Sequence, residues 1–541
     1  MARGSHRSYA LALALSPALW ALPGIQPAVA HPSADPSCYT PPFSLTLSPC
    51  VPHDVPAGPA ASIAELAVFA WQEFVALNWV AMDPASTGIR GRAALDTDPN
   101  TGFLGITKDA SGSYPLLVWQ TYRHKNELFP PAGTGALPSF NLFNNLDETS
   151  QIGQAIMYAH STSAPPEADP ASGIRVAYEA KVNRAVFQYL VNSGFTSPTG
   201  GYAALANAQA NTGTAYGDQN SPNVGICSPP MGVSPTSIVM LPCGDITMAG
   251  DGGEGAIEIK AAWRALTEDE VSKGRFLTQN VIYYTGQSPQ LYNNAVWGLV
   301  ALHIIHKTKS FPAFVFASWE QIDNYGDDTP DDPNPENLAF SNTGDSAALP
   351  DIAVRRAHAI NSAIPPVNDA VHTAFKAVNP DTVWQYYKLI GVQATPKDPP
   401  DASATPDDLS YYYMANIMVE TNQPLQNFSG SLSASIPPPS PGRTNNVYVS
   451  GAPGSPFQMG GCQGCHGFQG QYLGGDMSVL VAQGASNSQT VESIDSPDGT
   501  SIRTYRNRVS DVRERSGVSL RHFFPRGDAY ANKPAKGARA K

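Results

Sequence analysis

Residues 462–466 read Cys-Gln-Gly-Cys-His, which is the C-x-x-C-H spacing. In exported proteins this spacing attaches haem covalently, because the two thiols add to the vinyl groups and the adjacent imidazole binds the iron. The chain has only 6 cysteines among 541 residues, so the spacing is not a by-product of a cysteine-rich composition. The motif predicts one haem c, with Cys462 and Cys465 as the thioether residues and His466 as the proximal iron ligand.

Two other kinds of site use closely spaced cysteines. A thioredoxin-like redox pair needs a βαβ context, and a zinc site needs a second pair of ligands at suitable spacing. The sequence offers neither feature around residues 462–466. A disulfide or redox pair is therefore the alternative to covalent haem.

The first 30 residues have the pattern of an export signal. Arg3 and Arg7 form a short basic region, residues 9–22 are largely apolar, and residues 28–30 give the small-x-small pattern of a cleavage site. We predict a periplasmic or secreted protein with a mature chain that starts near His31 and has no stable membrane span. An uncleaved anchor is the alternative.

The four remaining cysteines form two pairs that are local in the sequence. Each pair would close a short loop in an oxidising compartment, where free thiols are disfavoured. We predict structural disulfides between Cys38 and Cys50 and between Cys227 and Cys243. Sequence alone does not exclude other pairings.

Composition indicates a loop-rich globular protein. Charged residues make up 14% of the chain, which contains 46 glycines and 49 prolines. We predict the α+β class, with a helical N-terminal region, a central antiparallel sheet and a mainly helical or irregular haem-binding region at the C-terminus. The predicted divisions are a signal peptide at 1–30, an α+β body at 31–400 and a haem-binding region with a basic tail at 401–541. With a net charge of −12, no nucleic-acid partner is expected.

Local patterns predict several elements. Ser62 and Glu65 form a capping box at the start of an amphipathic helix. Residues 175–192 read as a second amphipathic helix, and 195–255 as long surface loops. Short connections join the strand-like runs, which predicts antiparallel pairing; these runs are 257–263, 281–284, 294–308, 314–319 and 383–392.

The sixth iron ligand is not fixed by the sequence. Met477 follows His466 too closely to wrap around the ring, and Met459 precedes the motif by three residues. His522 lies further downstream, and we consider it as a possible sixth ligand that would give bis-histidine ligation. An open iron is the alternative. The more distant candidates are His303, His306, His358, His372, Met414 and Met418.

His303 and His306 are three residues apart within a predicted strand. Successive side chains of a strand point to opposite faces, so residues three apart do not share a face. We therefore expect these two histidines not to bind one metal together.

Seven segments together resemble an uncharacterised family of secreted bacterial cytochrome c-like proteins that carry a single C-terminal C-x-x-C-H. These segments are AWQEFVALNW, VWQTYRHKNELF, EIKAAWRAL, ALHIIHKT, FASWEQIDN, YKLIGVQ and GGCQGCHG. The resemblance spans roughly residues 60–485. It implies that Cys462 and Cys465 attach the haem and that His466 is its proximal ligand.

Three functions follow from these observations. The first is a monohaem c-type redox protein that transfers electrons to or from a partner protein or a small-molecule donor or acceptor. The second is a haem-dependent oxidoreductase, peroxidase-like or oxygenase-like, with an open iron and a substrate pocket in the body. The third is a haem-based sensor or ligand-binding protein. We place electron transfer first because it needs no additional pocket.

Overall fold

The computed structural model describes most of the region between residues 47 and 484. The described ranges are 47–94, 98–108, 114–124, 128–129, 137, 139–141, 157–158, 175–197, 199–216, 225–245, 247, 253–266, 268–284, 292–324, 359–395, 403–412, 414, 416, 418–419, 461–466 and 473–484. Both the predicted signal peptide and the basic tail lie outside them. The same holds for Cys38, His358, Met459 and His522.

Helices and strands alternate along these ranges. The helices are α1 (Ile63–Leu77), α2 (Pro84–Thr87), α3 (Arg184–Asn192), α4 (Gly201–Tyr216), α5 (Glu268–Lys273), α6 (Ile364–Val378), α7 (Pro406–Tyr412), α8 (Gly461–His466) and α9 (Val479–Gln483). The strands are β1 (Arg123–His124), β2 (Met157–Tyr158), β3 (Arg175–Val182), β4 (Ile257–Ala265), β5 (Thr278–Tyr284), β6 (Tyr292–His306), β7 (Val315–Gln321) and β8 (Tyr387–Gln393).

The described strands form one antiparallel sheet, which agrees with the predicted α+β class. Its order is β1-β3-β4-β6-β7-β8, with β2 beside β3 and β5 beside β6. The long strand β6 pairs with β4, β5 and β7. Residues 257–263 and 294–306 are strands as predicted, and they are the central pair of the sheet.

One face of the sheet packs against α1 and α6 to form what we call the first core. Helix α1 begins with the predicted capping box, in which Ser62 Oγ accepts from the Glu65 amide at 3.3 Å and Glu65 Oε2 accepts from the Ser62 amide at 2.7 Å. Aromatic side chains fill this core, and α1 contributes Phe69, Trp71 and Phe74 from its apolar face. Members include Trp71, Phe74, Ile259, Trp263, Ile304, Trp319, Phe375 and Leu389.

The opposite face packs against α3, α4, α8 and α9 to form the second core. Side chains on a strand alternate between faces, so residues next to first-core residues belong here. Members include Val182, Val186, Leu205, Ile305, Phe316, Cys462, Met477 and Leu480. The predicted C-x-x-C-H site therefore lies against the sheet, on the face away from α1.

Two local predictions were wrong. Residues 175–182 form strand β3, and the helix begins only at Arg184, where Asn183 caps it by accepting from the Val186 amide at 3.2 Å. Pairing with β4, which is distant in sequence, outweighs the local helical pattern. Within the predicted loops of 195–255, residues 201–216 form helix α4.

The structure contains the predicted disulfide between Cys227 and Cys243. Cys50 is also disulfide-bonded. Because Cys38 lies outside the described residues, its pairing with Cys50 stays a prediction. None of the helices in the described ranges is long and apolar enough to cross a membrane.

Asn368 of α6 connects three elements of the first core. Its Oδ1 accepts from Trp71 Nε1 at 2.9 Å and from the Leu389 amide at 3.3 Å, and its Nδ2 donates to the Leu389 carbonyl at 2.9 Å. We expect Asn368→Ala to lower the free energy of unfolding by about 2–4 kcal/mol, because it leaves buried polar groups without their partners.

Urea denaturation followed by circular dichroism measures this loss. The matched control is Asp369→Ala at the next, exposed position of α6, which should change stability by less than about 0.5 kcal/mol. Equal losses in the two variants would contradict the assigned role of Asn368.

Candidate functional site

Helix α8 carries the C-x-x-C-H motif and is fixed to the end of the sheet. The Gln463 amide donates to Gln393 Oε1 of β8 at 2.7 Å, and Gln463 Nε2 donates to the carbonyls of Ala313 and Phe314 at 3.1 and 3.2 Å. Gly461 begins the helix at φ +69°, and a Cβ there would lie 2.4 Å from the Gln393 amide nitrogen. A residue with a side chain there would have an unfavourable backbone conformation and would displace the Gln393 side chain that accepts from the Gln463 amide.

Cys462 and His466 are four residues apart in α8, so they lie on the same side of the helix. Cys462 is buried at 6% exposure and belongs to the second core, as do Met414, Met477 and Leu480. An apolar environment of this kind excludes water from a group attached at Cys462.

The imidazole of His466 has a defined tautomer. Its Nδ1 lies 3.0 Å from the Met477 carbonyl, which only accepts hydrogen bonds, so Nδ1 carries the proton. Burial lowers the pKa of His466 to about 4, and the ring is neutral at physiological pH. The lone pair is consequently on Nε2, the state that an iron or zinc ligand requires.

The Met477 carbonyl is held by an unusual turn. Asp476 and Met477 have φ values of +57° and +68°, a backbone region that costs a residue with a side chain about 1–3 kcal/mol. Asp476 Oδ2 accepts from the Leu241 amide at 2.7 Å and forms a buried ion pair with Lys307. These contacts stabilise the turn and keep the carbonyl directed at His466.

Ser478 connects this turn to the sheet. It caps α9 by accepting from the Val481 amide at 2.9 Å, and its hydroxyl donates to Glu258 Oε1 of β4. Burial raises the pKa of Glu258 to about 7, since the Ser478 hydroxyl only partly offsets desolvation and Asp476 adds a like charge. Glu258 is thus a buried carboxyl group that titrates near neutral pH.

His303 is brought to this site, whereas His306 is not. The His303 ring lies 5.9 Å from that of His466, and His303 Nδ1 is 2.7 Å from Ser318 Oγ. His306 points into the first core, where it contacts Glu73 of α1 and the Glu254 carbonyl. The prediction that the two histidines occupy opposite faces is confirmed.

Burial affects these two histidines differently. It holds the pKa of His303 well below its usual value, so the ring is neutral. Burial also disfavours a charged His306, but the Glu73 carboxylate and the Glu254 carbonyl outweigh it and raise the pKa of His306. His306 therefore belongs to a structural ion pair between the sheet and α1.

His303 and Phe316 both pack beside His466. The His303 ring lies 5.9 Å from that of His466, and the Phe316 ring lies 4.9 Å from His466 and 6.1 Å from His303. His303 as a sixth iron ligand stays a prediction.

Of the other predicted sixth-ligand candidates, His372 packs against the first core, whereas Met414 belongs to the second core with Cys462. His372 Nε2 donates to the Tyr387 carbonyl at 2.7 Å, and its ring contacts Trp71 in the first core. Met414 and Met418 are buried. Within the described part of the chain, no group of three or more His, Cys, Asp or Glu residues is arranged to hold a metal ion.

Comparison with family models, curated proteins and solved structures finds no match to this chain. Sequence reasoning identified Cys462, Cys465 and His466 but missed Glu258, Asp476 and the Met477 carbonyl. The one local signal was Ser478 before an apolar run, which is typical of a helix cap.

The raised pKa of Glu258 makes stability depend on pH. The folded state binds this proton more tightly than the unfolded chain, whose glutamate titrates near 4.5. The contribution of Glu258 is present in full below pH 4.5 and is lost as the pH rises to about 7. We expect Glu258→Gln to match wild-type stability at about pH 4.5 and to exceed it by about 3 kcal/mol at pH 8, at about 1.4 kcal/mol per pKa unit.

Urea unfolding at the two pH values tests this expectation. Glu179→Gln on the neighbouring strand β3 is the control, because Glu179 is also buried but accepts from Trp263 Nε1 at 2.8 Å and lies 3.6 Å from Lys181. The free energy of unfolding of Glu179→Gln should not exceed that of the wild type at pH 8. The same stability difference for Glu258→Gln at both pH values would refute the expectation.

Proposed function

We propose that this protein is an exported monohaem c-type protein that transfers electrons. The observation that carries the proposal is the hydrogen bond from His466 Nδ1 to the Met477 carbonyl. It leaves the Nε2 lone pair of a neutral imidazole at the end of the C-x-x-C-H helix, which suits an axial haem ligand. Cys462 and Cys465 would form the thioethers, and His466 Nε2 would bind the iron.

The surrounding residues fit a haem in two further respects. Cys462 lies in an apolar cluster, as a thioether to a largely apolar macrocycle requires. Phe316 and His303 pack against the His466 ring and restrict its rotation. A bound haem iron supplies one-electron redox chemistry. The hydrogen bond to the Met477 carbonyl increases the basicity of His466, which favours the oxidised iron and lowers the reduction potential.

Export is supported by the signal-like residues 1–30 and by the disulfide between Cys227 and Cys243, since disulfides form in oxidising compartments. The electron donor or acceptor would be a partner protein or a small molecule. The resemblance to secreted cytochrome c-like proteins agrees with this proposal.

Covalent attachment is tested by removing the thiols. We expect Cys462→Ala with Cys465→Ala to abolish covalent haem, and Cys462→Ala alone to leave at most one thioether, because each bond needs its own sulfur. Haem staining of denatured protein and intact mass measure the loading, after expression with a haem-attachment system. The control is Cys227→Ala with Cys243→Ala, which removes two cysteines that form a disulfide elsewhere and should keep full loading. Covalent haem on the first double variant would refute the proposal.

The optical spectrum separates electron transfer from the two alternatives. We expect a low-spin spectrum in both oxidation states that does not change when carbon monoxide or peroxide is added, because an electron carrier has a filled sixth position. A high-spin spectrum that shifts with either ligand would instead favour the haem-dependent oxidoreductase or the sensor. His522→Ala then tests the predicted sixth ligand, and conversion to high spin would identify it.

A further inference from the structure

We propose that reduction of a haem held by His466 is coupled to the uptake of one proton by Glu258. This inference rests on the proposed function and extends it from electron transfer to proton-coupled electron transfer. It depends on a short chain of contacts between the two residues, on the burial of Glu258 and on the charges around it.

The contacts run through a single peptide group. His466 Nδ1 donates to the carbonyl of Met477, and the nitrogen of that peptide belongs to Ser478. The Ser478 hydroxyl donates to Glu258 Oε1. Two hydrogen bonds, one peptide group and the Ser478 side chain thus connect Glu258 to the ring that would bind the iron. Strand β4 holds the carboxyl group rigidly, because it pairs with β3 and β6 on both sides.

The groups around Glu258 allow its carboxyl group to gain or lose a proton. Val182 and Ile305 are its apolar neighbours on β3 and β6. Asp476 is paired with Lys307, so these two charges largely offset each other. Among the described residues, other titratable groups near this site are Lys260 on β4, Tyr189 of α3, and the neutral rings of His303 and His466.

Burial makes the carboxyl group sensitive to the iron. Glu258 is 5% exposed, so water screens its interaction with nearby charges weakly. Its pKa of about 7 means that both protonation states are populated near neutral pH. Reduction of a haem at His466 would remove one positive charge near Glu258 and with it part of the attraction that favours the carboxylate. The reduced protein therefore binds the proton more tightly.

The coupled step balances in charge and atoms. With a haem held by Cys462, Cys465 and His466, one electron would come from a one-electron donor, either a partner protein or a small molecule. Glu258 accepts one proton from water, and a carboxyl O–H bond forms. Reoxidation releases both, so net charge near the site is the same before and after reduction. This limits the electrostatic cost of placing an electron in a buried site.

The test is a redox titration of the haem-loaded full chain over a range of pH. The wild-type midpoint potential should fall as the pH rises across the region around 7, with a limiting slope of one proton per electron. Glu258→Gln cannot titrate, so its potential should be independent of pH in that region and higher than the wild-type value at alkaline pH. Equal pH dependence in the two proteins would overturn the inference.

Two further variants test whether the pH dependence comes from the charge of Glu258 or from a general disturbance of the structure. Ser478→Ala removes a donor that stabilises the carboxylate, so the pH-dependent region should move to higher pH, which a merely structural role would not produce. Glu179→Gln removes a buried carboxylate from β3 and should keep the wild-type pH dependence. Loss of that dependence in Glu179→Gln as well would count against Glu258 as the proton site.

Failure of the proposed function gives a different result. A wild-type chain without covalent haem overturns the proposed function and this inference together. A wild-type chain with covalent haem and a reversible one-electron couple whose potential is independent of pH overturns the inference alone. Haem staining before each titration distinguishes the two results.

Discussion

Both faces of the central sheet are buried, and the rest of the structure depends on this constraint. Side chains along one strand alternate between two environments. On β4, Ile257 and Ile259 enter the first core, whereas Glu258 faces the turn that follows α8. On β6, His306 pairs with Glu73 of α1 and His303 packs against His466. A shift of one residue in register would exchange these environments and place the charged groups in the wrong core.

The turn at Asp476 and Met477 shows how the fold maintains a strained backbone. Two consecutive positive φ values are unfavourable for residues with side chains. The Asp476 side chain offsets this cost because it satisfies the Leu241 amide and pairs with Lys307 in a site without exposure to water. A buried pair of this kind adds little net stability, but removing one partner leaves an isolated buried charge. The pair therefore specifies the turn more than it stabilises the protein, and the turn directs a carbonyl at His466.

The elements that local sequence signals specify were predicted correctly. The predictions were wrong where contacts between residues distant in sequence determine the secondary structure. Ser62 and Glu65 identified the start of α1, and the β-rich runs from residue 257 onward identified the central strands. Residues 175–182 were predicted as helix because nothing local reveals their pairing with β4. Helix α4 was missed because its alanines are interspersed with Gly, Asn and Thr. The C-x-x-C-H residues were evident, but Glu258 reaches the site only through the fold, 220 positions before Ser478.

The size of the chain follows from this arrangement under the proposed function. Residues 461–466 and 473–484 supply Cys462, His466 and the Met477 carbonyl, but not all of the groups that would support a haem. Strand β8 supplies Gln393 to fix α8, β7 supplies Phe316, and β4 supplies Glu258. A small cytochrome domain wraps a haem with its own helices, whereas here the sheet provides the groups around the proximal histidine. Under the proposed function, the large body would be part of the haem site, because its strands pack against His466 and place Glu258 near it.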